Sequence, residues 1–299
     1  MTPGGQRQTV KALREAASSG LGDRIIQLAE NALGEELDAR IRAIDARKNE
    51  LGFDPFGFDP DVARYMLAVV AFFHRLYFRT EVFNIEHAPH GRALFVANHA
   101  GQIPIDGMMI AGSLMLDADP PIFPRSMVER WTVQLPFVSV LFPRVGQVLG
   151  SPDNARRLLA EDQSLVVFPE GVRGISKTYD RRYQLADFGL GFMRLALETN
   201  TPIVPVGVIG SEEQLPSVGE FKSLAKLLGA PAFPIIPQLF LGAFFPLPTR
   251  YRIYFGEPMH FTGDPDEEDA DIEARVWQVR TAVQSLVNDG LAAREHVFW

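Results

Sequence analysis

The chain has 299 residues, 46% of them hydrophobic and 22% charged, a balance that suits a folded chain with a sizeable core. A net charge of −8 without a long basic run argues against nucleic acid as a partner, and any hold on a membrane must then come from apolar surface. The cysteine count is zero, which excludes disulfides, thiolate metal sites and a cysteine nucleophile.

Met1 to Gln6 place no apolar core behind a basic start, so no signal peptide is expected and a cytoplasmic protein is the reading. From Leu21 to Arg47, Ile26, Ala29, Leu33, Leu37, Ile41 and Ile44 recur three or four residues apart, the spacing of an amphipathic helix. Either its own domain or a membrane surface or partner could cover that face. Gly52 to Pro60 (GFDPFGFDP) reads as a linker. These features predict a helical N-terminal extension and linker over residues 1–60, and a second unit over 61–299.

From Asp61 onward strands and helices alternate. Tyr65 to Phe73 is apolar but closed by His74 and Arg75, well short of the ~20 residues a spanning helix needs. Short strands are expected at Ala93–Ala97, Ile122–Pro124, Ser164–Phe168, Pro202–Ile209 and Tyr251–Phe255. Helices are expected at Ile105–Met115, from an Asn154 cap through Ala160, at Gly189–Glu198 and from Asp269 onward. This order predicts an α/β fold, a mixed sheet covered by helices. Ala230 to Pro248 is apolar but broken by five prolines, so it reads as an apolar loop or short helices, buried or dipped into a membrane interface. No transmembrane helix is expected. The acids from Asp264 to Glu273 suit a solvated loop and a helix start.

Two loops carry chemistry. Asn98-His99-Ala100-Gly101-Gln102-Ile103-Pro104-Ile105-Asp106 follows a buried strand, where α/β proteins place working residues. His99 can take a proton near neutral pH, and Asp106 can fix its tautomer if the segment between them turns back. A histidine that caps the following helix is the alternative. Phe168-Pro169-Glu170-Gly171-Val172-Arg173-Gly174 follows a second apolar strand. Its glycines permit close backbone approach, Glu170 can accept from hydroxyls, and Arg173 offers a fork suited to phosphate. A tight turn with an Arg–Glu pair would look the same. His87, His90 and His99 lie near one another in sequence and leave a metal hydrolase as a weak option.

Taken in order, His99 with Asp106, Phe142-Pro143-Arg144-Val145-Gly146, the FPEGVRG loop and Ile203-Val204-Pro205-Val206 resemble the blocks of the glycerolipid acyltransferase superfamily, over roughly Val82 to Met259. Gly256-Glu257-Pro258 also looks familial. Six residues separate His99 from Asp106 where the usual signature has four, a variant that resembles a branch near the mono- and diacylglycerol acyltransferases. The resemblance implies an O-acyltransferase domain over 61–299 that uses no cofactor. Its donor would be acyl-CoA or acyl carrier protein, and its acceptor a lysophospholipid or acylglycerol hydroxyl. It implies His99 and Asp106 as the catalytic pair, and Arg144, Glu170, Gly171, Arg173 and Pro205 at the substrate. A direct transfer without an acyl-enzyme agrees with the absence of cysteine and of a G-x-S-x-G elbow. Lys177, Arg181 and Arg182 could meet a CoA phosphate, a carrier protein or anionic lipid, or could equally lie in a solvated loop. A peripheral membrane position is expected, with segment 230–248 as the docking element. An esterase or thioesterase using the same histidine, and a non-catalytic lipid-binding protein, are the competing readings.

Overall fold

The computed structural model describes residues 37–44, 54–100, 105–129, 138–221, 234–240, 242 and 245–298, together with residues 24, 27, 30 and 31. Among these, seven strands form one mixed sheet in the order β1-β9-β6-β2-β5-β3-β4, where β1 is Glu81–Phe83, β2 Leu94–Ala97, β3 Arg125–Val128, β4 Gln147–Leu149, β5 Leu165–Val167, β6 Ile203–Ile209 and β9 Arg252–Phe255. The block β6-β2-β5-β3-β4 is parallel throughout. β9 runs antiparallel to β6, and β1 lies parallel to β9. A pair of two-residue strands, β7 (Gly219–Glu220) and β8 (Pro234–Ile235), stands apart.

Helices cover both faces, as the alternation of elements requires. Phe95 and Ala97 of β2 point into one apolar layer, against helix α3 (Ile105–Leu116) through Met109, Ile110 and Leu114. Leu94 and Val96 point into the other layer, against helices α5 (Pro152–Ala160), α7 (Gly191–Thr199) and α8 (Asp269–Ala292). The central strands are buried on both faces, which is why they read as continuous apolar runs. Helix α7 stops at Asn200, whose φ of 47° is tolerated by asparagine.

Helix α1 (Leu37–Arg42) packs on the domain: Leu37 and Ile41 are buried against Ala63, Leu67 and Leu116. Ile26, Ala29 and Leu33 of the expected long helix lie outside the described residues. The stretch expected as a linker is packed as well. Its Asp54 is 4% exposed and ion-paired with Arg125, which is 2% exposed, while Phe58 is fully buried. The Arg125 guanidinium lies over the rings of Phe58 and Phe123, so the charge is held between a carboxylate and two aromatic faces. Asp59 then caps helix α2 (Pro60–Ala71) by accepting from the Asp61 N–H at 3.0 Å, with Pro60 in the first turn.

Other boundaries moved. The strand expected at Ile122–Pro124 is β3 at Arg125–Val128, because buried Arg125 begins it. Ser151 rather than Asn154 caps α5, since its hydroxyl accepts from the Asn154 N–H at 3.2 Å. Helix α4 (Val138–Arg144) and strands β1 and β4 were not expected. α2 continues into a π-helical turn at Phe72–Tyr77. Segment 230–248 contributes β8 and a short helical turn, Pro237–Phe240. Among the described residues no helix is long and apolar enough to cross a membrane.

Candidate active site

Three neighbouring parallel strands, β6, β2 and β5, end at the same edge of the sheet, and the loop after each contributes to one cluster. The carboxyl edge of an open parallel sheet is where the scaffold leaves room for a ligand. Asn98, fully buried just after β2, extends the sheet with its side chain: Nδ2 donates to the Val208 carbonyl at 2.9 Å, and Oδ1 accepts from the Val208 N–H at 2.8 Å. His99 is thereby presented past the end of the strand.

Asp106, in the first turn of α3 and fully buried, turns back to meet it. Its Oδ2 lies 2.7 Å from His99 Nδ1 and also accepts from the Ala100 N–H at 2.9 Å, while Oδ1 accepts from the Gly107 N–H at 2.8 Å. A buried carboxylate so placed holds the proton on Nδ1 and leaves Nε2 as the basic nitrogen. Phe168, at the end of β5, stacks on the imidazole with centroids 4.2 Å apart and planes at 23°. The ring is thus fixed in position and in plane.

The loop after β5 supports His99 from beneath. Glu170, 2% exposed, uses Oε1 to accept from the His99 N–H at 2.8 Å and Oε2 to accept from the Ala186 N–H at 2.7 Å. Both oxygens therefore serve the protein's own backbone. Gly171 adopts a φ of 56°, which favours glycine, and starts the short helix α6 (Val172–Ile175). A Cβ on Gly174 would lie 2.8 Å from both the His99 Cβ and the His99 carbonyl oxygen, so this glycine lets α6 pass directly against the histidine. Arg173, on the same turn, is exposed and donates to the Asp187 carbonyl at 2.9 Å.

Arg144 and Pro205 are not brought to His99. Arg144 ends α4 just before β4 begins, at the opposite edge of the sheet, and its Nη1 donates to the Gly57 carbonyl at 3.0 Å. Pro205 is in register with Val96, so the pleat turns it toward the α8 layer, away from the face that carries α3. A Cβ on Gly256 would meet its Cγ at 2.8 Å. A cavity of about 450 Å³ lined by Asp54, His90, Phe123, Arg125 and Ser164 also opens at that opposite edge.

His87 is bonded to the Phe255 carbonyl and to Glu257, and His90 lines the far cavity, so the three histidines do not converge. Among the described residues no group of three His, Cys, Asp or Glu could hold a metal. Lys177, expected either to meet a phosphate, carrier protein or anionic lipid or to lie in a solvated loop, has a side chain only 8% exposed and lies 3.3 Å from Glu170 Oε2 and 3.0 Å from Glu212 Oε1. Asn98, Phe168, Gly174 and Lys177 are the participants that residue type and spacing did not single out for these contacts.

A family model described as Acyltransferase matches residues 79–209, which contain every element of this cluster except Glu212. An uncharacterized protein of Mycobacterium tuberculosis is 38% identical over 256 residues, covering 82% of this chain and 71% of that protein. A mouse protein named DGAT1/2-independent enzyme synthesizing storage lipids is 23% identical, covering 70% of this chain and 59% of its own length. Among solved structures, the 1-acyl-sn-glycerophosphate (LPA) acyltransferase PlsC of Thermotoga maritima shares the fold with a TM-score of 0.52 and 17% identity, over 97% of this chain and 99% of that one. With its sheet, its His99 loop and its sequence relatives in agreement, the chain belongs to the glycerolipid acyltransferase superfamily and is an acyltransferase.

Proposed function

We propose that the enzyme transfers a fatty acyl group from a thioester donor, acyl-CoA or acyl carrier protein, to the hydroxyl of a lysophospholipid or acylglycerol. The observation that carries this reading is the 2.7 Å contact between His99 Nδ1 and Asp106 Oδ2, which leaves Nε2 to act as a base at the open edge of the sheet. His99 removes the hydroxyl proton as the oxygen attacks the thioester carbonyl carbon. The tetrahedral oxyanion collapses, the C–S bond breaks, and the thiolate leaves with its electron pair and takes up the proton. A thiolate is a good leaving group, so no covalent acyl-enzyme is required. Arg173, exposed one residue from the glycine that packs on His99, is the residue we assign to a phosphate of the donor or acceptor. We assign Glu170 and Gly171 to holding the loop, and Arg144 and Pro205 to the scaffold.

Attachment to a lipid surface belongs to the same proposal. Val69, Phe72 and Leu76 are 43%, 47% and 49% exposed on one face of α2 and its π-helical turn. Phe245, 66% exposed, adjoins them through Tyr77, 6.4 Å ring to ring. An amphiphilic acceptor residing in a bilayer suits an enzyme with such a face.

The test is a labelled acyl-CoA or acyl carrier protein offered with a panel of lysophospholipids, mono- and diacylglycerols and fatty alcohols. Labelled ester that depends on an acceptor supports the reading. Free fatty acid formed equally with and without acceptor would replace it with a thioesterase.

A further inference from the structure

A chain of buried charges begins at the backbone of His99 and continues through the loops that follow β5 and β6. Glu170, whose side chain is fully buried, touches the His99 N–H and the Lys177 ammonium. Lys177 stands between Glu170 and Glu212, which follows β6 on the turn Ser211–Gln214 and is 7% exposed. Glu212 accepts from the Tyr183 N–H at 3.0 Å. The Tyr183 hydroxyl bonds to Glu213, which is paired in turn with Arg294 at 2.8 Å. Burial pushes the Glu212 carboxyl up, and Lys177 opposes that shift.

We propose that Lys177 is a positioning residue for catalysis: its ammonium, held between Glu170 and Glu212, fixes the Glu170 carboxylate on the backbone N–H of His99 and so holds the base in place. This rests on the reading of His99 as the base. The geometry favours it over a phosphate contact, because Lys177 is 8% exposed and shared by two carboxylates. A buried carboxylate that loses its cation loses the ion pair that orients it, and its hold on two N–H groups at once weakens. The His99 loop would then lose its anchor while the donor and acceptor surfaces stay intact. Among the described residues, Lys177, Glu212 and His99 are the titratable groups shown to interact with Glu170, with Asp106 beyond the imidazole.

The test compares Lys177→Met, Lys177→Arg and His99→Ala, each checked for folding by circular dichroism and thermal melting. Lys177→Met is expected to lower kcat by roughly 10–100-fold, the loss that follows when a reacting group is displaced by about an ångström. Its KM values should stay near the parent's. Lys177→Arg should restore most of kcat. Parent-like kcat in Lys177→Met, or a loss confined to the donor KM, would overturn the proposal. If Lys177→Met does not fold, Lys177→Gln keeps a polar donor, one atom shorter and without the charge. The same loss of kcat at unchanged KM is then expected, and a parent-like kcat again overturns the idea. An inactive His99→Ala beside a parent-like Lys177 variant sinks only the role of Lys177. An active His99→Ala sinks the base assignment itself.

Discussion

Asp106→Asn separates the charge of the carboxylate from its shape. Asp106 is fully buried and its two oxygens accept three hydrogen bonds, from His99 Nδ1, Ala100 N–H and Gly107 N–H. An asparagine amide offers one oxygen. With the NH2 toward His99, Nδ1 must become the acceptor, the proton moves to Nε2, and the base is lost. The Ala100 N–H then also faces a donor. With the NH2 toward α3, the Gly107 N–H is left facing it instead. Either orientation strands a buried donor, which costs about 1–3 kcal/mol and lowers Tm by roughly 2–5 °C in a chain of this size. Loss of the base costs about 10²–10⁴-fold in kcat. The chain has no cysteine, so a thiol-reactive dye reports only the thiol released from the donor and gives a clean continuous assay. A folded Asp106→Asn variant with the parent's kcat would refute the role of the pair.

Further outcomes follow from other contacts. Gly174→Ala drives a methyl to 2.8 Å from the His99 Cβ and carbonyl, so it should cost about 10²-fold in kcat while circular dichroism stays native. His74 is buried beside Ser113, and burial, reinforced by Arg75, holds its pKa down from 6.5 to about 3. The unfolded chain therefore binds a proton that the folded chain refuses, and stability falls as pH drops below 6.5, by up to about 1.4 kcal/mol per pH unit. In denaturant titrations at pH 6.5 and pH 4.5, His74→Gln should lose less stability than the parent, and equal losses would contradict the assignment. Replacing Phe72, Leu76 and Phe245 together with serine removes apolar contacts worth roughly 1 kcal/mol each. Co-sedimentation with liposomes should weaken about 100-fold at unchanged Tm, and unchanged binding would exclude this face as the docking surface.

The central strands were legible because parallel strands buried on both faces must be continuously apolar, as LFVA, LVV and IVPVGVI are. β1 and β4 were not legible: each is a three-residue strand that begins with a polar residue, Glu81 or Gln147, and at most one of its residues is buried. Gly52–Pro60 has the composition of a linker, and only the distant Arg125 reveals why Asp54 and Phe58 are buried. His99, Asp106 and the Glu170 loop could be read because their residue types follow strand ends. Local sequence does not state at which edge or on which face a residue emerges. Arg144 has the chemistry of a phosphate ligand but stands where its strand begins. Pro205 lies in the right strand on the face turned from α3. The partners of Lys177 come from two different loops, and no local pattern announces an ion pair whose halves meet only when β5 and β6 flank β2.

The most direct measurement is the turnover of purified His99→Ala with a labelled thioester donor and the acceptor that the parent enzyme prefers. If His99 is the base, the folded variant loses about 10²–10⁴-fold in kcat at every pH between 6 and 9. Acyl transfer at the parent rate by that folded variant would contradict that assignment.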